Sequence, residues 1–198
     1  MPKTILMDIE GTTTSISFVH NVLFPYAKSH LSVFVQNNID DDKVKACLEH
    51  TKETVNKEES RNINDNEAIT TLLHWIDTDR KHPALKTLQG FIWENGYESG
   101  DYTAHVYDDV LPCVKKWSES GIILAIYSSG SIAAQKLLFK YTNDGDLTPF
   151  ISKYFDLSIG RKQSPDSYAN IVQSLNMDAK EILFLSDTVE ELDAAKSI

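Results

Sequence analysis

The sequence has few cysteines and no long apolar run. Its two cysteines, Cys47 and Cys113, lie far apart and belong to no CxxC or Cys/His cluster, so we expect neither a zinc site nor a disulfide framework. No stretch approaches the roughly 20 apolar residues of a membrane-spanning helix. The first ten residues, MPKTILMDIE, contain too short an apolar run for a signal peptide. These shortages predict a soluble protein of a reducing compartment.

Basic side chains are also in short supply. The chain has 19 Lys and Arg against 29 Asp and Glu, which gives a formal net charge of -10. A surface with this average charge repels nucleic-acid backbones and anionic membranes, so neither is an expected partner. The hydrophobic content of 41% is enough to bury the core of one domain, or of one domain that carries an insertion.

Short apolar runs predict the strands of a parallel sheet that is buried on both faces. The three strongest runs are Thr4–Met7, Ile122–Tyr127 and Ile182–Leu185, and Tyr154–Leu157 is a weaker candidate. Helical spacing of apolar residues follows the second run, at Ser131–Lys140, and precedes the last one. This alternation predicts an α/β fold with a doubly wound, mostly parallel sheet.

A long segment between the first two strands has helical rather than strand periodicity. Two amphipathic stripes mark its helices: Ile69, Leu72, Leu73 and Ile76, then Leu85, Leu88, Phe91 and Ile92. The polar stretch Asn56–Asn66 is predicted to be a surface loop between helices. We therefore expect residues 1–15 and 106–198 to form a discontinuous α/β core, with residues 16–105 as a helical insertion.

Three polar side chains stand at or just after the ends of the predicted strands: Asp8, Ser128 and Asp187. Ligands of doubly wound folds bind at the carboxyl ends of the strands, so these side chains should meet in space. Two acids and a hydroxyl, with a lysine nearby, suit a phosphate group and a divalent cation.

The first candidate motif is Asp8-Ile9-Glu10-Gly11-Thr12. In an extended exit from a strand, Asp8 and Glu10 point the same way, so one carboxylate can attack phosphorus while the other moves a proton. The alternative is a polar turn, in which Gly11 permits the bend and Thr12 satisfies backbone groups.

The second motif is Ser128-Ser129-Gly130-Ser131, which precedes a predicted helix. Hydroxyls and free N–H groups at a helix start can clamp a phosphate, and Gly130 lets the backbone approach it closely. Serines in this position are also ordinary helix caps, which is the alternative interpretation.

The last two motifs supply a cation and a further acid. Lys162 can provide a point charge for phosphate oxygens and for an ionised Asp8, with Arg161 as its rival. Asp187 can give a hard oxygen ligand to Mg²⁺. Glu190 and Glu191 fall in the first turn of a helix, where acids favour the helix dipole, and we expect them to serve only that purpose.

In this order, the residues resemble the four motifs of the haloacid dehalogenase superfamily, namely an Asp-x-Asp pair, a Ser or Thr, a Lys and an acidic metal site. Glu10 stands where the second Asp is usual, and this departure narrows the resemblance to the enolase-phosphatase (acireductone synthase) family. Similar strings run through nearly the whole chain: DIEGTT, SISFVHNVLFPYA, LKTLQGFIWENGYESG, IYSSGSIAAQKLLF and LFLSDTVEELDAA.

This resemblance implies a magnesium-dependent phosphatase of methionine salvage. It would enolise 2,3-diketo-5-methylthiopentyl 1-phosphate and dephosphorylate it, through an aspartyl-phosphate, to 1,2-dihydroxy-3-keto-5-methylthiopentene. One Mg²⁺ per chain is implied, with Asp8, Glu10 and Asp187 as ligands and Glu10 contributing its main-chain carbonyl. Asp8 would be the nucleophile and Glu10 the acid/base. Ser128, Ser129 and Lys162 would bind the substrate.

The resemblance also implies a role for the helical insertion, an oligomeric state and a location in the cell. The helical insertion would be a cap that closes over a small-molecule phosphate substrate, and the protein would be a cytoplasmic monomer, with the nucleus as a second location. Members of the family continue past the last predicted helix into a further strand and a tail, which are expected to be missing here.

Two other classes of protein share parts of this pattern. One is a capped phosphatase of another small phosphate ester, or a dehalogenase, because the fold alone does not fix the substrate. The other is a phospho-acceptor signalling domain, which also has an acidic pocket, a hydroxyl and a lysine but needs no helical insertion after its first strand.

Overall fold

The computed structural model describes residues 2–198 and contains a parallel sheet of four strands. The strands are β1 (Thr4–Met7), β2 (Ile123–Tyr127), β3 (Lys153–Phe155) and β4 (Ile182–Leu185). All four predicted strands are present, and β1 and β4 have the predicted bounds. The weaker one ends earlier than predicted, because Leu157 already belongs to the turn that follows β3.

Helices connect the strands, as the alternating pattern predicts. A π-helical segment spans Val19–Leu23, and 3₁₀ turns occur at Thr148–Phe150 and Ala179–Glu181. The α-helices are α1 (Ile16–Phe18), α2 (Phe24–Asn37), α3 (Asp42–Glu59), α4 (Asp65–Asp77), α5 (Pro83–Ser99), α6 (Val110–Glu119), α7 (Ile132–Lys140), α8 (Pro165–Leu175) and α9 (Val189–Lys196). None of the helices within residues 2–198 combines the length and the apolar character that a membrane crossing requires.

The strand order is β3-β2-β1-β4, and every neighbouring pair is parallel. Met7 at the end of β1 is in register with Ile126 of β2 and with Leu185 of β4. The carboxyl ends of the three strands therefore lie side by side. This register brings together the segments that follow β1, β2 and β4, which the sequence had marked as candidate motifs.

Both faces of the central strand are covered. Leu6 of β1 shares one buried cluster with residues of β2 and β3 and with Tyr168 and Ile171 of α8. Its neighbours Ile5 and Met7 point to the opposite face, because side chains alternate along a strand, and they are also buried. The doubly wound α/β fold predicted from the apolar runs is confirmed.

The chain divides into two compact units. One comprises the residues up to Val19 together with Tyr102–Ile198 and contains the sheet, and the other is His20–Asp101. The second unit is helical, with a core formed by the inner faces of α2, α3, α4 and α5. The role of this unit as a cap stays a prediction.

The surface loop predicted at Asn56–Asn66 is wrong over its first part. Helix α3 continues through Glu59, and only the short connection before α4 is irregular. Helix α3 buries Val44, Leu48 and Val55 on one face, which anchors it to the core. The polar residues after Val55 continue this helix although they bury no apolar surface of their own. Asn64 then begins α4 with a capping box, in which its side chain and that of Glu67 each accept a backbone N–H.

Candidate active site

Asp8 lies directly beyond β1 and is buried. Its backbone N–H donates to the Leu185 carbonyl at 2.9 Å, which continues the ladder between β1 and β4 by one residue. After Asp8 the chain turns sharply, because the N–H groups of Thr13 and Thr14 both donate to the Ile9 carbonyl. The loop that carries Asp8 and Glu10 is therefore fixed by backbone hydrogen bonds at the end of the sheet.

Lys162 forms the centre of a buried charge network. Its Nζ lies 2.6 Å from Asp8 Oδ1 and 2.8 Å from Glu191 Oε2. All three side chains are buried, and such ions are retained inside a protein when they are paired. Asp8 Oδ1 also accepts the N–H of Ile9 at 2.7 Å, so both contacts fall on the same carboxylate oxygen.

Burial raises the pKa of Asp8 to about 6, although the Lys162 ammonium and the Ile9 N–H act in the opposite direction. Removal of the carboxylate from water is thus the larger effect. The neighbouring Glu191 adds a smaller contribution of the same sign. A carboxylate that is poorly solvated and held by a single oxygen is a reactive group, because little hydration has to be removed before it attacks.

The segment that carries Lys162 is held by two tyrosines. Tyr168 of α8 donates its hydroxyl to the Lys162 carbonyl at 2.6 Å, and Tyr127 of β2 donates to the Gly160 carbonyl at 3.0 Å. Gly160 has φ +138, and a Cβ there would lie 2.1 Å from Ser167 Oγ, so only glycine fits. Arg161, the rival of Lys162, is exposed, whereas Lys162 points inward to Asp8.

The serine motif follows β2 as predicted. Ser128 is buried, and its Oγ accepts the Gly130 N–H at 3.3 Å, while Ser129 is exposed. Ser131 caps α7 by accepting the Ala134 N–H, so the cap that the alternative interpretation assigned to this motif belongs to Ser131 rather than to Ser128. Gln135 donates to the carbonyls of Gly130 and Phe155, which fixes the turn against the neighbouring strand.

Asp187 packs against the loop after β1. Its backbone N–H donates to Thr12 Oγ1 at 3.1 Å. A Cβ built on Gly11, which has φ +78, would lie 2.2 Å from Asp187 Oδ2. The carboxylate of Asp187 therefore occupies the space that any side chain at position 11 would take.

Replacing Gly11 by Ala should displace Asp187 and lower the turnover expected of this site by about tenfold or more. Gly121→Ala is the matched control, because Gly121 has φ +77 and no atom lies within 4 Å of the position that its Cβ would take. Both variants carry the cost of a left-handed Ala, about 1–2 kcal/mol in unfolding experiments. Equal activity of the two variants would show that the contact between Gly11 and Asp187 does not matter.

The expectation that Glu191 serves only the helix dipole is wrong. Its carboxylate pairs with Lys162, accepts the Ser186 hydroxyl at 3.0 Å and is buried, while Glu190 is exposed. The sequence held a signal for this, because Glu191 and the buried Ala194 are three residues apart and so share the inner face of α9. A charged residue on the inner face of a helix requires a buried partner.

One cavity of about 530 Å³ connects these groups within the sheet-containing unit. It is lined by all six of the predicted site residues: Asp8, Glu10, Ser128, Ser129, Lys162 and Asp187. Six further residues complete the lining: Ile16, Leu157, Arg161, Gln163, Thr188 and Glu191. The site thus brings together residues from three strand ends and two loops that are distant in sequence.

The donor set of the cavity suits a hard cation. Four carboxylates but only two basic side chains line it, and Lys162 is already paired with two of the carboxylates. Within residues 2–198 no three His, Cys, Asp or Glu side chains are clustered closely enough to hold a metal by themselves. Mg²⁺ needs no such cage, because it keeps several waters and takes only one or two carboxylates together with substrate phosphate. Asp8 and Asp187, with a backbone carbonyl, fit that requirement.

Comparison with known proteins gives a consistent result. A family model described as haloacid dehalogenase-like hydrolase matches residues 2–198. The chain is 53% identical over 195 residues to an enolase-phosphatase E1 of Stenotrophomonas maltophilia (strain R551-3), covering 98% of this chain and 83% of the relative. It is 47% identical over 204 residues to an enolase-phosphatase E1 of Drosophila willistoni, again covering 98% and 83%.

Solved structures agree with the fold. The UTR4 protein of Saccharomyces cerevisiae superimposes with a TM-score of 0.83 at 38% identity, covering 100% of this chain and 86% of that one. An L-2-haloacid dehalogenase of Xanthobacter autotrophicus gives a TM-score of 0.52 at 17% identity, covering 100% of this chain and 74% of that one. The second likeness concerns the fold alone.

Proposed function

Because the chain belongs to the enolase-phosphatase E1 family of haloacid dehalogenase-like hydrolases, we propose that it converts 2,3-diketo-5-methylthiopentyl 1-phosphate to the acireductone 1,2-dihydroxy-3-keto-5-methylthiopentene and phosphate. The reaction belongs to methionine salvage. The observation that carries the proposal is the buried Asp8 carboxylate, held 2.6 Å from Lys162 at a cavity that also contains Ser128 and Asp187. The identity to enolase-phosphatases over nearly the full chain supports the choice of substrate.

The phosphatase half begins with Asp8. Its carboxylate attacks phosphorus, and the bond between phosphorus and the ester oxygen breaks to give an aspartyl-phosphate. Glu10 donates a proton to the leaving oxygen, and then takes one from the water that attacks the aspartyl-phosphate. Phosphate leaves, and Asp8 returns to its starting form.

The other site residues hold the charges in place. Lys162 keeps Asp8 oriented through Oδ1, and Ser128 and Ser129 bind phosphate oxygens through hydroxyl and N–H groups. Asp8, Asp187 and the main-chain carbonyl of Glu10 would hold one Mg²⁺ per chain, and its positive charge would offset the repulsion between carboxylate and phosphate. The enolisation half moves a proton from the carbon that bears the phosphate to the neighbouring carbonyl oxygen.

Glu10→Gln should abolish turnover while Mg²⁺ binding is largely kept. The amide cannot shuttle a proton, whereas the main-chain carbonyl of residue 10 is unchanged. Calorimetric titration with Mg²⁺, beside a turnover assay, separates the two effects. A collapse of Mg²⁺ affinity would mean that the Glu10 side chain is itself a metal ligand.

The direct experiment offers the diketo phosphate with Mg²⁺ and follows acireductone absorbance and released phosphate together. Equal amounts of both products, and loss of both after chelation of Mg²⁺, would support the proposal. Phosphate release from other small esters, without acireductone from the diketone, would favour the alternative of a phosphatase with another substrate. The signalling-domain alternative receives no support from these two relatives, both of which carry an enzyme name.

The proposal also covers the class of substrate, the oligomeric state, the location and the role of the helical insertion. The substrate is a small phosphate compound, and the protein works as a monomer in the cytoplasm, with residues 16–105 acting as a cap. Size-exclusion chromatography with light scattering at working concentrations would test the monomer.

A further inference from the structure

The cavity that holds the site has a charged floor, and two exposed apolar side chains stand among the polar residues of its rim. The floor consists of buried polar groups, among them Asp8, Lys162 and Glu191. Two large apolar side chains also line the cavity, Ile16 with 46% and Leu157 with 44% of its surface exposed. No catalytic step described above uses either of them.

Both apolar side chains stand on ordered turns. Ile16 begins α1, and the preceding Ser15 caps this helix by accepting the Ser17 N–H. Leu157 lies in the turn after β3, where its carbonyl accepts the Gly160 N–H at 3.2 Å and Asp156 Oδ1 accepts the Ser158 N–H at 3.0 Å. Neither side chain is part of a flexible stretch that could simply fold inward.

A single exposed apolar residue is common on protein surfaces and requires no explanation. Here two of them share one cavity with every proposed catalytic group. The buried groups offer ions and hydroxyls that suit a phosphate, while Ile16 and Leu157 offer hydrocarbon in the same cavity. A ligand that matches both is charged at one end and apolar at the other.

We propose that Ile16 and Leu157 form a subsite for the apolar tail of the substrate and so determine its specificity. This inference rests on the proposed function, whose diketone carries a phosphate at one end and a methylthioethyl tail at the other. Seating the tail removes apolar surface of both side chains from water, and the gain in binding free energy grows with the apolar area that is buried. The expected ligand class is a phosphate monoester with an unbranched apolar chain.

The test compares two substrates that differ only in the tail. One is 2,3-diketo-5-methylthiopentyl 1-phosphate, and the other is 2,3-diketobutyl 1-phosphate, which keeps both carbonyls and the phosphate. We expect the wild-type protein to prefer the long substrate in kcat/KM by at least about tenfold, as is usual for added groups in an apolar pocket. Ile16→Ser and Leu157→Ser should each reduce that preference about five- to tenfold, with activity on the short substrate nearly unchanged.

Leu183→Ser is the matched control for Leu157→Ser. Leu183 is also a leucine with 44% of its surface exposed, but it lies on β4 and does not line the cavity. Its substitution should leave the preference at the wild-type value. Ile16→Val, which stays apolar, should keep most of the preference and thereby exclude a general disturbance of α1.

Two outcomes would overturn the subsite. One is an unchanged preference in both serine variants, and the other is an equal loss of preference in Leu183→Ser. If neither diketone reacts, the proposed function fails, and the hydrolysis of pentyl phosphate against methyl phosphate then tests the subsite by itself. A preference for the pentyl ester that both serine variants reduce would uphold it, and no such reduction would reject it.

Discussion

Replacing Asp8 by Asn is expected to lower phosphate release by about ten-thousandfold or more, because an amide is a poor nucleophile and cannot form the aspartyl-phosphate. The substitution changes few contacts. The amide oxygen can still accept the Ile9 N–H and the Lys162 ammonium, which both contact Oδ1 in the native protein. Steady-state phosphate release with the diketone and Mg²⁺ measures the effect.

The fold of this variant can be checked independently through pH. Because burial raises the pKa of Asp8 to about 6, protonated Asp8 contributes stability that is fully present below its unfolded pKa and is lost as pH rises through about 6. The metal-free Asp8→Asn variant, in which residue 8 is neutral at every pH, should therefore be at least as stable as the wild type at pH 8.

Asp166→Asn, at an exposed site on α8, is the control for phosphate release and should have normal activity. Near-normal phosphate release from a folded Asp8→Asn protein would remove Asp8 from the role of nucleophile.

Lys162→Met should be the most destabilising single change in the site. It leaves the carboxylates of Asp8 and Glu191 buried without the cation that pairs with both. Breaking a buried ion pair in this way typically costs about 3–5 kcal/mol. We also expect phosphate release to fall by about a hundredfold or more, since a preorganised charge at the attacking group is lost. Urea unfolding without metal, beside the turnover assay, measures both effects.

A second substitution separates stability from catalysis in this network. Adding Glu191→Gln to Lys162→Met removes one unpaired charge, so the double variant should recover part of the unfolding free energy but none of the activity. Lys115→Met, at an exposed site on α6, should change neither quantity. If Lys162→Met were as stable and as active as Lys115→Met, the network would have neither a structural nor a catalytic role.

The fold was predictable from the sequence because its strands are short, apolar and separated by helices. In a parallel sheet, neighbouring strands share a direction, so the residues after Met7, Tyr127 and Leu185 had to meet at one edge. This rule alone places Asp8, Ser128 and Asp187 at one cavity, and the structure brings them together there. Their individual roles remain predictions.

Other features could not be predicted from local pattern. The role of Glu191 was predicted wrongly because an acid in the first turn of a helix is already explained by the helix dipole. Its partner Lys162 lies 29 residues earlier in the sequence, so no local pattern connects the two. Residues 56–59 at the end of α3 resembled a loop because none of them is apolar. They continue a helix whose inward face is buried as far as Val55. Leu157 fitted the strand pattern by composition, but the turn after β3 places it at the cavity rim.

The central claim is that Asp8 accepts the phosphoryl group. The most direct test is a rapid acid quench during turnover of substrate labelled with radioactive phosphorus, followed by digestion and peptide mapping. We predict that the label appears transiently on the peptide that contains Asp8, is released by hydroxylamine, and is absent from Asp8→Asn. Label on a peptide that contains Ser128, or phosphate release with no labelled protein at any time point, would contradict the account.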